Sequence, residues 1–196
     1  MAEIAGPLGA DFQIGAAESD WPRIADVVPP PPLPFDLEAL GLDSPAVKTL
    51  TGPPVEAGVA NTPGWRLADI GAANGHGNAR SVARIMSVVS RGGEIDGIRL
   101  LSPGTIDLIF REQLNGTDLV LGVPLRWGIG YGLPIPVVLP WIPDERICFW
   151  GGWGGSMIVM DTDRRMTLSY IMNKMGAGII GSDRSAAYCA AVYSSL

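Results

Sequence analysis

Covalent catalysis by a side chain needs a nucleophile, a base within reach of it and donors for the charge that develops. The densest candidate stretch is "FWGGWGGSMIVMD" (149–161), where Ser156 follows Trp150, Trp153 and four glycines. Its context is Gly-Gly-Ser-Met-Ile rather than the Gly-x-Ser-x-Gly of a nucleophile elbow, so Ser156 reads as a strand or turn residue. His76, in "ANGHGNARS", is the only histidine. It has no serine of nucleophile type to pair with and no partner at metal-ligand spacing, and reads as a loop residue before a helix. No strand feeds the glycines around it, which rules out a dinucleotide loop. Lys48 and Lys174 are the only lysines, and neither stands three residues after a serine. Nothing in the pattern recruits Ser81. Cys148 and Cys189 lie in apolar contexts that suit buried thiols and are too few for a disulfide framework.

That leaves the glycines. Gly151, Gly152, Gly154 and Gly155 weaken a strand, because glycine has no side chain to pack and loses the most entropy on folding. Two readings account for them. The backbone is kept bare so that a ligand can lie along the strand edge between aromatic walls, or the stretch is a glycine bulge packed by its own tryptophans.

The elements that must position these residues fall into two kinds. In "NARSVARIMSVVSRGG", Val82, Ile85, Met86 and Val89 repeat at helical spacing, with Asn78 as cap and Gly92 as left-handed stop. Ser102 caps a second helix with Pro103 at its first position and Ile106, Ile109 and Phe110 on its apolar face. Ser44 and Pro45 open a short one. Beyond 120 the period changes: "RWGIGYGL" (126–133) and "RICFW" (146–150) read as strands, and "SMIVMD" and "MTLSYIMN" as a hairpin across "TDRR". Ser182 caps a final helix with Ala186, Cys189, Ala190 and Tyr193 on one face. The expected organisation is α+β: an irregular Pro-rich segment 1–64, a helical region 65–120, and an antiparallel sheet with covering helix over 121–196. Adjacent antiparallel strands are expected at 146–150, 156–161 and 166–172, packed on a helix over 183–195. A three- or four-stranded sheet covered by one helix leaves its other face bare, to be covered by residues 1–60 or by another chain, as in a homodimer. The proline run "VVPPPPLPFD" (27–36) reads as an extended spacer or as a docking site for a proline-binding module.

Composition narrows the classes. The chain has 196 residues, 47% of them hydrophobic and 17% charged, enough for a real core. Its net charge of −6 lacks the basic surface that nucleic-acid binding requires. The longest uncharged stretch, Trp127 to Pro143, is broken by Pro134, Pro136 and Pro140, which excludes a spanning helix. The first residues carry Glu3 and Asp11 and have no signal-peptide pattern, so a cytoplasmic protein is expected.

Taken together, "PLGADFQIG", "GHGNARSVARIMSVVSRGGEIDGIRLLSPGTIDLI", "RWGIGYGL" and "FWGGWGGSMIVMDTDRRMTLSYIMNKMG" resemble the carboxylesterases with a class C β-lactamase fold, the family VIII esterases, kin of penicillin-binding proteins. The resemblance runs through nearly the whole chain in the right order. It implies the C-terminal part of the β-lactamase/transpeptidase-like fold, and ester hydrolysis through an acyl-enzyme with no metal or cofactor. Trp150, Gly151 and Gly152 match the strand bordering the catalytic centre, and the backbone N–H of Trp153 would serve the oxyanion hole. Asn74 and His76 fall on the loop that lines the acyl pocket. The family's Ser-x-x-Lys and Tyr precede "PLGADFQIG", so no nucleophile is expected in this chain. It reads as the C-terminal half of an esterase, working with a small ester substrate and a separately encoded N-terminal half. The alternative is a non-catalytic remnant that self-associates or binds a partner.

Overall fold

A computed structural model describes residues 3–31, 41–52 and 56–196. Residues 32–36 of the proline run lie outside them; of the rest, Val28 forms a parallel bridge to Lys174. Along the chain come β1 (Phe12–Ile14), α1 (Pro45–Leu50), α2 (Pro63–Leu67), β2 (Gly75–Gly77), α3 (Ala79–Ser90), β3 (Glu94–Ile95), β4 (Ile98–Arg99) and α4 (Pro103–Ile109). Then follow β5 (Leu114–Thr117), β6 (Pro124–Trp127), β7 (Gly132–Leu133), β8 (Ile147–Gly151), β9 (Met157–Asp161), β10 (Met166–Tyr170) and α5 (Asp183–Ser194).

The helix starts follow their caps. Ser44, Asn78, Ser102 and Ser182 each accept a hydrogen bond from a backbone N–H three residues on, which satisfies one donor that the first turn leaves free. The end of α3 is glycine chemistry. Gly92 and Gly93 take φ of 78° and 98°. The Gly93 carbonyl accepts from Leu100 N at 3.0 Å and Leu101 N at 3.1 Å, tying the exit of β4 to the end of the helix. Between β3 and β4, Asp96 and Gly97 turn the chain with φ of 49° and 79°. This is a tight Asp-Gly hairpin where the sequence suggests only a turn and an apolar stretch.

The sheet has six antiparallel strands in the order β10-β9-β8-β7-β6-β5, not the expected three or four. The stretch 126–133 is not one strand. It divides into β6 and β7 around a turn in which Gly128 N donates to Tyr131 O (2.9 Å) and Gly130 has φ 79°. The core strands behave as expected: β8 pairs with β9 and β9 with β10, the last two joined by Thr162–Arg165. Buried Asp161 fixes that turn, accepting from Arg164 N (2.9 Å), Arg164 Nη1 (3.0 Å) and Tyr193 Oη on α5 (3.2 Å).

Alternation along the strands sends side chains to two layers. Ile147, Phe149, Met157 and Val159 pack with Cys189 of α5, with Tyr193 partly buried against them. The buried side of α5 is Ser185 and Cys189; Ala190, expected on that face, is exposed. On the opposite layer Cys148 and Met160 meet Val89 of α3 and Ile106 and Ile109 of α4. Ser90 and Thr167 hydroxyls hydrogen-bond between α3 and β10 at 2.8 Å. This corrects the expectation of a bare sheet face, because the chain's own α3 and α4 cover it. The argument for a homodimer loses its premise. The far side of α3 is covered in turn, with Val88 packed on Leu8 and Ile95.

Burial pushes the Cys148 thiol up to about 12 and that of Cys189 to about 11, so neither offers a thiolate near neutral pH. Among the described residues no helix is long and apolar enough to cross a membrane. The outer edge of β10 pairs with no described strand, and its sequence, Met-Thr-Leu-Ser-Tyr, carries neither the lysine nor the proline that usually blunts an edge.

Candidate functional site

β8 is buried through Phe149 and then emerges. β7 pairs with it only at Gly132↔Phe149, so Trp150, Gly151 and the residues after them run past the end of β7. The Trp150 ring lies against Trp127 of β6, with centroids 4.6 Å apart and planes tilted by 44°. A tight loop follows. Gly152 N donates to Ser156 O (3.1 Å), Gly155 N to Gly152 O (2.9 Å) and Gly154 N to Gly178 O (3.0 Å), while Gly154 O accepts from Gly176 N (2.7 Å).

Backbone donors in folded proteins are nearly all paired, so the partner of each is worth tracing. Of Gly152, Trp153, Gly154 and Gly155, only Trp153 has an N–H that donates to no acceptor among the described residues, and the residue as a whole is 40% exposed. The loop thus holds one donor without an acceptor among the described residues, on a backbone whose neighbouring donors are committed.

The glycines are explained mainly from within. A Cβ on Gly151 would stand 3.0 Å from Gly181 N and Ile179 O, and one on Gly152 would stand 3.0 Å from Ser156 Oγ. Gly154 and Gly155 take φ of 105° and 96° and abut Met172, Met175 and Ser182. The chain's own 172–182 segment occupies most of the space that the bare backbone leaves. Ser156 Oγ makes no hydrogen bond to a basic side chain among the described residues. Ser81, 6% exposed, accepts from Asp11 N at 2.9 Å and is structural.

Asn74 and His76 lie elsewhere. They line a cavity of about 540 Å³ between the β1–β2 ribbon, Trp65 and residues 171–173, and none of Trp150 to Trp153 borders it. Its polar wall, which the sequence did not single out, is Asp11, Gln13, Asp20 and Arg23. Arg23 binds both aspartates, and their charges hold its pKa above the usual value. His76 sits in β2 opposite Gln13. Its buried Nε2 has no partner among the described residues, and burial together with the Arg66 charge lowers its pKa, so the ring is neutral near pH 7. No carboxylate orients it as a base, and no cluster of metal-ligating side chains occurs among the described residues.

Asn74 is 2% exposed and its amide is spent on the backbone. Nδ2 donates to Trp65 O (2.8 Å) and to Ala68 O, and Oδ1 accepts from Ile70 N (3.1 Å). The residue is a knot that holds the 65–70 bend. Asn74→Ala leaves the partly buried Ala68 O and Ile70 N without these partners, while Trp65 O keeps its bond from Ala68 N, and should cost about 1–3 kcal/mol. Chemical denaturation checks this: an unchanged midpoint would free Asn74 for a role in binding.

Comparison with known proteins places these features in a wider set. Residues 1–188 match the family model described as Beta-lactamase. The chain is 29% identical over 198 residues to the Esterase/beta-lactamase LipL of Mycobacterium tuberculosis, which covers 93% of this chain and 44% of that protein. Among solved structures it superposes on a family VIII carboxylesterase with a TM-score of 0.83 and 32% identity, over 99% of this chain and 50% of the other. A penicillin-binding protein homolog from Caulobacter crescentus gives a TM-score of 0.78 and 31% identity, over 99% and 51%. The chain spans about half the length of these relatives.

Proposed function

Because the chain belongs to the Beta-lactamase family, matching it over residues 1–188, we propose that it forms the oxyanion strand and part of the acyl-pocket wall of a carboxylesterase-type serine hydrolase. The observation that carries this reading is the uncommitted N–H of Trp153 at the end of β8, beyond the reach of β7. The relatives named esterases support the substrate class, a small ester.

In this reading the nucleophilic serine belongs to a Ser-x-x-Lys outside residues 1–196, in the same polypeptide or in a second chain. The free edge of β10 is where further strands of that half can continue the sheet. Lysine and a tyrosine take the serine proton as Oγ bonds to the ester carbonyl carbon. The carbonyl oxygen becomes an oxyanion and accepts the Trp153 N–H, which costs no reorganisation because the loop bonds already fix that N–H. The intermediate collapses, the alcohol leaves with a proton, and water hydrolyses the acyl-enzyme. Trp150, Gly151 and Gly152 present the strand edge along which the acyl group lies. The cavity beside His76 extends the pocket wall, with His76 contributing a neutral surface and Asn74 its scaffold.

The test is a chimaera in which residues 1–196 replace the matching half of the family VIII carboxylesterase. Residues 1–196 alone should take up no fluorophosphonate and barely turn over p-nitrophenyl butyrate. The chimaera should hydrolyse the ester and be labelled on the carboxylesterase half. Stoichiometric labelling of Ser156 in the lone chain would overturn the assignment, and a folded but inactive chimaera would favour a non-catalytic remnant.

A further inference from the structure

At the end of β8 opposite Trp153, a cleft of about 280 Å³ opens between the C-terminus of α3, the start of α4 and the β9–β10 turn. Arg91, Arg146 and Arg165 line it, against a single carboxylate, Asp107. Arg146 is held in place, its Nη2 2.6 Å from Asp107 Oδ1 and its guanidinium 4.7 Å above the Phe110 ring. Arg91 and Arg165 are exposed and make no ion pair among the described residues.

Most arginines outside the cleft are paired. Arg23, Arg66, Arg84, Arg99, Arg126 and Arg164 each hold a carboxylate, as expected where acids outnumber bases 20 to 14. Arg80, Arg111 and Arg184 also make no ion pair among the described residues, but in this cleft three arginines share one lining carboxylate. The β9–β10 turn that carries Arg165 is anchored through Arg164 and Asp161, so its position is fixed before any ligand arrives. Arg165 also has φ 53°, a left-handed conformation that glycine adopts without strain.

We propose that the Arg91–Arg146–Arg165 cleft binds a small phosphate-like dianion. Guanidinium forks match the oxygen spacing of phosphate and recover, through charge-assisted hydrogen bonds, the repulsion between neighbouring cations. The volume lies just under the roughly 300–1,000 Å³ of pockets that take drug-sized ligands. The occupant is therefore free phosphate or the terminal group of a compact phosphomonoester. A nucleic-acid backbone is disfavoured by the net charge of −6. The site lies apart from the proposed oxyanion strand and does not depend on that reading.

The test is thermal unfolding of residues 1–196 with inorganic phosphate or phenyl phosphate, each against sodium chloride at equal ionic strength, since screening alone shifts charged surfaces. Phosphate should raise the melting temperature in a saturable way. Arg91→Ala combined with Arg165→Gly should weaken binding at least tenfold, while Arg80→Ala, at the other end of α3, leaves it unchanged. Arg165→Gly relieves its own backbone, so it should unfold no earlier than the parent without ligand, and Arg91→Ala alone should also weaken binding. A tenfold preference for phenyl phosphate assigns the site to a phosphomonoester, and equal binding assigns it to the free ion. No stabilisation beyond that of chloride, or an undiminished response in the double variant, would overturn the proposal.

Discussion

In the active chimaera, Trp153→Pro should lower kcat for p-nitrophenyl butyrate by about 10²- to 10³-fold, the loss typical of deleting one oxyanion-hole donor. Proline removes the backbone N–H and little else that the fold uses here, because that N–H has no acceptor among the described residues. The residue before it is Gly152, which tolerates the restriction that proline imposes on its neighbour. The effect should fall on kcat rather than KM, since the N–H acts on charge that appears only in the transition state. Trp153→Ala is the control. It keeps the N–H, removes only an exposed indole, and should retain most of the activity. If the proline variant keeps its rate to within a factor of three, the oxyanion donor lies elsewhere. If proline and alanine are equally damaging, the side chain matters and the N–H does not.

Gly93→Ala should be among the most destabilising single substitutions in the chain. A Cβ there would lie 2.1 Å from Leu101 O, with backbone rather than a flexible side chain as the obstacle. Neither side can yield easily: the Gly93 carbonyl holds Leu100 N and Leu101 N, and Gly93 N donates to Val88 O at 2.7 Å. To the clash, worth about 1–3 kcal/mol or more in a packed site, the left-handed φ of 98° adds about 1 kcal/mol. A loss of about 4 kcal/mol is a large share of the roughly 5–15 kcal/mol that holds a domain together. Urea unfolding checks it, with Gly97→Ala as reference. That glycine also has positive φ, 79°, but nothing lies within 4 Å of its Cβ position, so it should lose only the conformational part. Equal losses at the two glycines would show that the contact with Leu101 relaxes.

How much of this could be read from the residues depends on how local the deciding chemistry is. The helix starts were legible because Ser44, Asn78, Ser102 and Ser182 act within three residues of themselves. The core strands were legible from alternation. β5 was not: its Leu-Asn-Gly-Thr is exposed at every position and carries no period. β7, two residues long, is too short to show one. The periodicity of α3 announced an apolar face without saying that the face meets β9 and β10, far along the chain. The glycines of 151–155 announced a close approach, yet only coordinates show that Ile179, Gly181 and Ser182 are among the atoms that come close. Trp153 entered through resemblance, because finding its free N–H requires the partners of Gly152, Gly154 and Gly155. Asn74 looked like a residue available to a ligand; its amide is consumed by Trp65, Ala68 and Ile70.

The strand order β10-β9-β8-β7-β6-β5 has a consequence for how the molecule assembles. Every strand neighbours the next one in sequence, so each pairing closes only a short loop, and the entropy of closure stays small. Folds rich in such local contacts form quickly. The docking of α3 on β9 and β10 is the opposite case, a long loop that is closed for one helix face. The sheet should therefore zip together first, from hairpin to hairpin, with α3 settling on it afterwards. During that interval Cys148 and Met160 face water, which makes the interval before α3 docks the stage most open to misassociation.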